Sequence, residues 1–299
     1  MSSIAYIVDK KMIEFHRLRG HQTMNFWRLN TSKKFQDFHQ GDLLFFLTKT
    51  KERPNEKGIV GYGRLQDSYD MSITKMWNQF GKLNGYLDKE SFKQAVYKIA
   101  KGAQVKQLSS LYLKEVTFFQ TPVYLSDVGY PLSKSVESFI YVDKYDSFTS
   151  SKVLQRAKAD GLDAWAAIFF EQEDKEKSFE EAEVMNALNK VQARIKEVQY
   201  SEYEHLKARR LLKRYMMNHP KINYCQNTLL TGYRYQQAIL TLYQPVIASK
   251  DEEDNMKRLL GQQLQYQHYI ECFYPYHIEI KFVYIEKEMK EVSLLKTNE

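Results

Sequence analysis

Between Gly41 and Asp70 the chain reads as two strands around a polar loop, so its first half must fold around a sheet. The run GDLLFFLTK (41–49) opens at a Gly-Asp turn and is filled with large apolar residues. KERPNEKG (51–58) is polar and marked by Pro and Gly, as a connection between strands is. GIVGYGRLQDSYD then alternates Ile59, Gly61 and Gly63 with Val60, Tyr62 and Arg64, the period of two that a strand imposes. Its glycines allow close backbone approach. AYIVD near the start adds a short strand, and LSSLYLKEVTFFQTPVYL (108–125) a strand-rich stretch in which Pro122 marks an edge or a bend.

Helices flank these strands. In SITKMWNQFGKLNG, Ser72 is placed to cap a helix whose face carries Ile73, Met76, Trp77 and Phe80. Gly81 and Asn84-Gly85 are its stop and turn signals. DKESFKQAVYKIAKG is a second amphipathic helix. The expected assembly is α+β, a mixed β-barrel with flanking helices, which the segment from Ser126 to Phe169 completes or packs against.

The second half changes character. Ser178 and Glu181 form a capping box that opens a long helical stretch, along which Val184, Leu188, Val191, Ile195 and Val198 make a heptad-like seam. Leu206, Leu211, Leu212 and Tyr215 continue an apolar face as far as His219-Pro220, which ends the helix. Residues 251–274 read as another helix with acids at its start, and HIEIKFVYIE (277–286) as a strand by alternation. A length of 299 residues suits two domains, expected at 1–170 and 171–299, the second mainly α-helical with a terminal strand.

Composition narrows the function. No apolar run approaches the roughly 18 residues of a membrane span, and the first twenty residues lack a signal peptide's apolar stretch, so a cytoplasmic protein without membrane contact is expected. Cys225 and Cys272 have no ligand-like spacing, which argues against a zinc site or a disulfide framework. No Gly-rich phosphate loop occurs. Of the formal +7 charge, residues 1–150 carry all: 22 Lys and Arg against 15 Asp and Glu, with the two signs balanced beyond. A basic half beside a neutral one suits a polyanionic partner, and ordinary solubility charge would look the same.

A flipped nucleobase needs planes on its faces, amides for its edge and cations for the flanking phosphates. The first ninety residues supply Phe26, Trp27, Tyr62, Trp77 and Phe80 as planes, and Asn25 and Asn84 as edge readers. Arg28, Lys33, Lys34 and Arg64 are the phosphate contacts. The tryptophans are equally at home in a core, where large aromatics mostly sit.

The blocks N-F-W-R (25–28), F-x-x-G-D-x-L-F-F (38–46), I-V-G-Y-G (59–63) and W-x-x-F-G-x-x-N-G (77–85) occur in an order that resembles a PUA-like domain of the EVE, ASCH and YTH kind. It is similar to the domain at the N-terminus of certain bacterial HNH restriction endonucleases, and the likeness covers roughly the first 165 residues. It implies an aromatic-walled pocket for a modified base, with Trp27, Trp77 and Asn25 as the first positions to test. It further implies a role in restriction or phage defence, in which this chain reads modified DNA and a separate ATPase or nuclease, met through residues 178–217, does the chemistry. PUA-like domains also read RNA, which leaves an RNA-binding protein as an alternative.

The seven histidines form no His-Asn-His arrangement, so HNH chemistry does not carry over and no cofactor is expected. Glu279-Ile280-Lys281 matches the E-x-K of PD-(D/E)xK nucleases, which would bring Mg²⁺; plain strand alternation explains the same residues. The seam at 184–198 is read as a core helix or as a docking surface. Lys207, Arg209, Arg210, Lys213 and Arg214 form a basic face, either solvated or an extension of a nucleic-acid footprint.

Overall fold

Six strands carry the first half: β1 (Ile4–Ile7), β2 (Met24–Leu29), β3 (Leu43–Lys49), β4 (Lys57–Met71), β5 (Leu108–Tyr124) and β6 (Phe139–Tyr141). They form one mixed sheet in the order β2-β5-β4-β3-β1-β6, in which β1 and β3 run parallel and the other pairs antiparallel. This computed structural model describes residues 3–29, 35–130, 136, 138–161, 172–195, 201–225, 230–247, 252–274, 276–286 and 291–292. The chain divides into two units, Met1–Glu180 and Glu181–Glu299.

The sheet of the first unit is strongly curled. Three strands lie between β1 and β2, which would hold their side chains about 19 Å apart in a flat sheet. Instead the rings of Tyr6 and Phe26 meet edge to face at 4.9 Å. Curvature comes from bulges. The β4–β5 register slips between Ile59 and Gly61, between Tyr62 and Arg64 and between Leu65 and Asp67, and each slip bends the strand it interrupts. Opposite the second slip, Glu115 takes a left-handed φ of 53°. The result is an open barrel with β2 and β6 as its edges. The stretch after β2 reaches across this opening: Tyr141 on β6 accepts at its hydroxyl from the backbone N–H of Gln36 (3.0 Å) and of Asp37 (3.3 Å).

Helices cover the convex side. Beyond α1 (Lys10–Arg17) come α2 (Ile73–Phe80) and α3 (Lys89–Ala100), joined by a 3-10 turn at Gly81–Asn84. The hydroxyl of Ser72 accepts from Lys75 N–H and the carboxylate of Asp88 from Ser91 N–H, each satisfying an orphan donor of the first turn. Phe80, Met76, Phe92 and Val96 are buried in the same core as Trp27 and Leu113. In the Ser126–Phe169 stretch, α4 (Thr149–Asp160) packs on β5 through Val153, Leu154 and Ala157. Trp165 lies outside the described residues.

The second half departs from its expectation of a mainly helical domain. It holds α5 (Gln172–Gln192), α6 (Glu202–Asn218) and α7 (Glu252–Phe273), and also β7 (Asn223–Tyr224), β8 (Gly232–Gln236), β9 (Ile239–Pro245), β10 (Glu279–Ile285) and β11 (Glu291–Val292). These strands form a second sheet in sequence order, with β9 and β10 parallel across α7 and the other neighbours antiparallel. Ser178 lies inside α5 rather than capping it, because that helix starts at Gln172. The capping box of this half is Ser201 with Glu204, at the start of α6. Val184, Leu188, Val191 and Ile195 bury against Leu240, Leu242, Tyr266 and Ile270, so the seam is core of this unit. Val198 lies outside the described residues.

Candidate functional site

Antiparallel register sorts the first unit's candidate residues onto two faces of the β2-β5-β4 layer. Residues directly opposite one another share a face, and neighbours along a strand take opposite faces. Trp27 pairs with Ser110, and Ser110 with Tyr69; Arg28 pairs with Ser109, and Ser109 with Asp70. The first row therefore faces the helices, and the second faces the hollow of the open barrel.

On the helix side the polar groups are closed into a network. Asn25 Nδ2 donates to Asn84 Oδ1 (2.7 Å), and the Ser110 hydroxyl donates to Asn25 Oδ1. Asn84 Nδ2 donates to the Gly81 carbonyl at 2.8 Å, while the Trp27 indole N–H donates to the Asn84 carbonyl at 3.1 Å. Asn25 and Asn84 have no exposed surface. Trp27 packs edge-on to Phe92 (centroids 5.2 Å apart) and half-buried Trp77 lies 6.0 Å from the same ring. Phe80 stacks on Tyr112 at 5.5 Å. Asn25, Trp27, Phe80 and Asn84 thus hold α2, the turn and α3 onto the sheet. Tyr62 is buried between Phe45 and Phe119.

On the hollow side lies a cleft of about 260 Å³, lined by Arg28, Phe35, Phe38, Leu65, Ser68, Asp70, Ser109 and Leu111, with the strand segments at Tyr69 and Ser110. Its size falls just below the roughly 300–1,000 Å³ of pockets for drug-sized ligands, which suits a single ring system. The Arg28 guanidinium lies 4.2 Å from the centroid of Phe35, and Phe35 meets Phe38 edge to face at 5.3 Å. Phe26 adjoins on the same face. The Ser109 hydroxyl donates to Asp70 Oδ1 at 2.7 Å.

The wall at Phe38 is held from beneath. Arg64, almost fully buried, donates to the Gly41 carbonyl and to Glu115 Oε2, both at 2.7 Å. Asp42 accepts from the His39 backbone N–H at 2.7 Å, and Leu65 N–H donates to the Asp42 carbonyl at 2.9 Å. Burial pushes the Asp42 carboxyl up to about 8, against the pull of its bond from His39 and of the Arg64 charge. Elsewhere, buried His16 shares a 2.9 Å Nδ1–Nδ1 hydrogen bond with His21, and burial, then the neighbouring His21 and Arg19, push it down to about 3.

Of the residues named from sequence, the structure brings Arg28 into the cleft, with Phe26 on the same face. It places Asn25, Trp27, Trp77, Phe80 and Asn84 on the other face, and Arg64 beneath the wall. Lys33 and Lys34 lie outside the described residues. Sequence reasoning passed over Phe35, Phe38, Leu65, Ser68, Asp70, Ser109 and Leu111. A usable signal was present: Ser68 and Asp70, and Ser109 and Leu111, are two apart, so each pair lies on one face of its strand.

In the second unit, Glu279 and Lys281 are both exposed and pair with each other at 3.2 Å. Among the described residues, no group of three or more His, Cys, Asp or Glu side chains is placed to hold a metal ion. No described helix is long and apolar enough to cross a membrane.

No protein-family model and no curated protein matches this chain. Solved structures that resemble it include the ASCH protein of Zymomonas mobilis, with 9% identity over 50% of this chain and 94% of that one, at a TM-score of 0.38. Two single-substitution variants of that protein match at the same TM-score, one with 10% identity over 51% of this chain and 96% of that one. The other has 9% identity over 52% and 95%. A likeness of this size says nothing of what this chain binds.

Proposed function

We propose that the first unit binds nucleic acid by receiving one extruded base in the cleft at the barrel mouth. The observation that carries this reading is the arrangement around Arg28: a cation beside the Phe35 ring, at the rim of a cleft of nucleobase size with polar atoms on its floor. Aromatic planes stack on any base, a guanidinium at the rim can donate to a base edge, and the basic excess of residues 1–150 attracts the phosphates. DNA with a modified base is the favoured target. A methyl or larger group pressed against Phe38 and Leu65 gains apolar contact, and a base without it leaves that space unfilled. Catalysis in restriction or defence then belongs to a separate ATPase or nuclease. That partner meets residues 178–217, where Tyr203, Leu206 and Met217 leave apolar surface exposed.

The test is fluorescence anisotropy with short labelled strands that differ only in one modified base, in the full chain and in Arg28→Ala and Phe35→Ala. Loss of the Phe35 plane or of the Arg28 donor is expected to weaken binding roughly ten-fold to a hundred-fold. Competition with unlabelled RNA separates the two nucleic acids. Equal affinity in all three proteins would remove the cleft from the reading.

A further inference from the structure

Three side chains from three adjacent strands form a line across the cleft floor. Arg28 on β2 stands opposite Ser109 on β5, and Ser109 stands opposite Asp70 on β4. With strands about 4.8 Å apart, the two ends of the line are roughly 10 Å apart at the backbone, a span that a purine and its hydrogen bonds fill. The three side chains differ in what they can offer. Arginine only donates, an ionised aspartate only accepts, and a serine hydroxyl does both. The observed bond decides the middle position. The Ser109 hydroxyl spends its one proton on Asp70 Oδ1, so toward a ligand Ser109 Oγ presents lone pairs. The line therefore reads donor, acceptor, acceptor.

We propose that Arg28, Ser109 and Asp70 make the cleft selective for guanine, read on its Watson–Crick edge. This rests on the base-binding reading above and goes beyond it by naming the base. Guanine alone among the common bases presents the complement, an acceptor at O6 followed by donors at N1–H and the 2-amino group. In the pose this implies, Arg28 donates to O6, N1–H donates to Ser109 Oγ, and the 2-amino group donates to the Asp70 carboxylate. Each other base meets a specific conflict. Thymine and uracil set carbonyl oxygens at both ends, one of them against the carboxylate. Adenine has no second polar group for Arg28 once its amino group faces Asp70. Cytosine has an amino group for Asp70, but its N3 is an acceptor. To meet it, Ser109 must turn its proton away from Asp70 and break the 2.7 Å bond. Asp70 is also well placed to report on itself: it is an exposed residue, so its replacement leaves the core untouched.

The experiment uses the full chain and oligonucleotides identical except at one unpaired position, which carries guanine, hypoxanthine, adenine, cytosine or thymine. Hypoxanthine keeps O6 and N1–H and lacks only the amino group. Guanine is expected to bind tightest, with hypoxanthine about ten-fold weaker, the size of one well-aimed base contact. In Asp70→Ala, which removes the acceptor, the gap between guanine and hypoxanthine should close while binding of the strand persists, with circular dichroism unchanged. Binding that is equal across the five bases, or tightest for another base, or a gap that survives Asp70→Ala, overturns the guanine assignment and leaves base binding standing. Failure of every oligonucleotide to bind overturns both.

Discussion

Replacing Asn84 with alanine tests the network on the helix side of the sheet. The amide does two things at once. Its oxygen accepts from Asn25 Nδ2 at 2.7 Å, and its nitrogen donates to the carbonyls of Gly81 at 2.8 Å and, more weakly, of Met76 at 3.4 Å. Asn25 has no exposed surface, so in Asn84→Ala no water replaces the lost acceptor. An orphaned buried donor costs about 1–3 kcal/mol, and the Gly81 carbonyl adds a similar or smaller amount. The sum is about 4 kcal/mol, a large share of the roughly 5–15 kcal/mol that holds a domain together. The Trp27 indole bond should survive, because its acceptor is the Asn84 main chain. All three tryptophans fall within Met1–Glu180, so guanidinium unfolding followed by tryptophan emission reports that unit. The midpoint should drop sharply while the Trp27 indole proton stays slow to exchange. A loss below about 1 kcal/mol would refute the network as the tie between helices and sheet.

Gly61→Ala should destabilise the first unit by about 1–3 kcal/mol or more in the same assay, because a Cβ there would collide with the Thr117 carbonyl oxygen, a backbone atom that cannot step aside. Gln237→Asn with Ala238→Gly should stabilise the second unit by roughly 1–2 kcal/mol in thermal unfolding, since both residues now sit at left-handed φ (52° and 59°). Two buried groups set opposite pH slopes, each at most about 1.4 kcal/mol per pH unit. Asp42, raised from 3.8 to about 8, binds a proton more readily folded than unfolded, so its contribution falls as pH rises between those values. His16, lowered from 6.5 to about 3, loses stability as pH falls through that range. The two offset each other between pH 4 and 6.5. Asp42→Asn should therefore expose a decline below pH 6.5 and remove the one between 6.5 and 8, as urea unfolding at stepped pH would show. Glu279→Ala should change stability by less than about 0.5 kcal/mol, because its pair with Lys281 is exposed.

In the first half β1, β3, β4 and β5 were legible because their alternation is strong and their turns carry Gly, Pro and Asp where turn geometry asks for them, while β2 and the three-residue β6 were not, being short and without turn residues of that kind at their starts. The caps at Ser72 and the stop at His219-Pro220 were legible for the same reason. The second sheet was hidden at one point above all. Its β8–β9 hairpin turns through Gln237-Ala238, both at positive φ, where an Asn-Gly pair would have announced it. The helix α5 hid its start because it begins in the charged run QEDKEK (172–177), which carries no apolar period. At the site, chemistry-bearing residue types were found but not their faces. Trp27 and Arg28 are neighbours in sequence and stand on opposite sides of one sheet, and only the register with β5 and β4 tells which side holds the hollow.

That layer of β2, β5 and β4 is a single sheet thick. The residues that anchor the helices and those that line the cleft lie on its two sides, one residue apart along each strand. Exchanging Ser68, Asp70 or Ser109 disturbs no amide tie, no indole and no helix contact. A lineage carrying this scaffold can therefore change the chemistry of its cleft while its melting temperature barely moves, and a library randomised at those three positions should return mostly folded proteins.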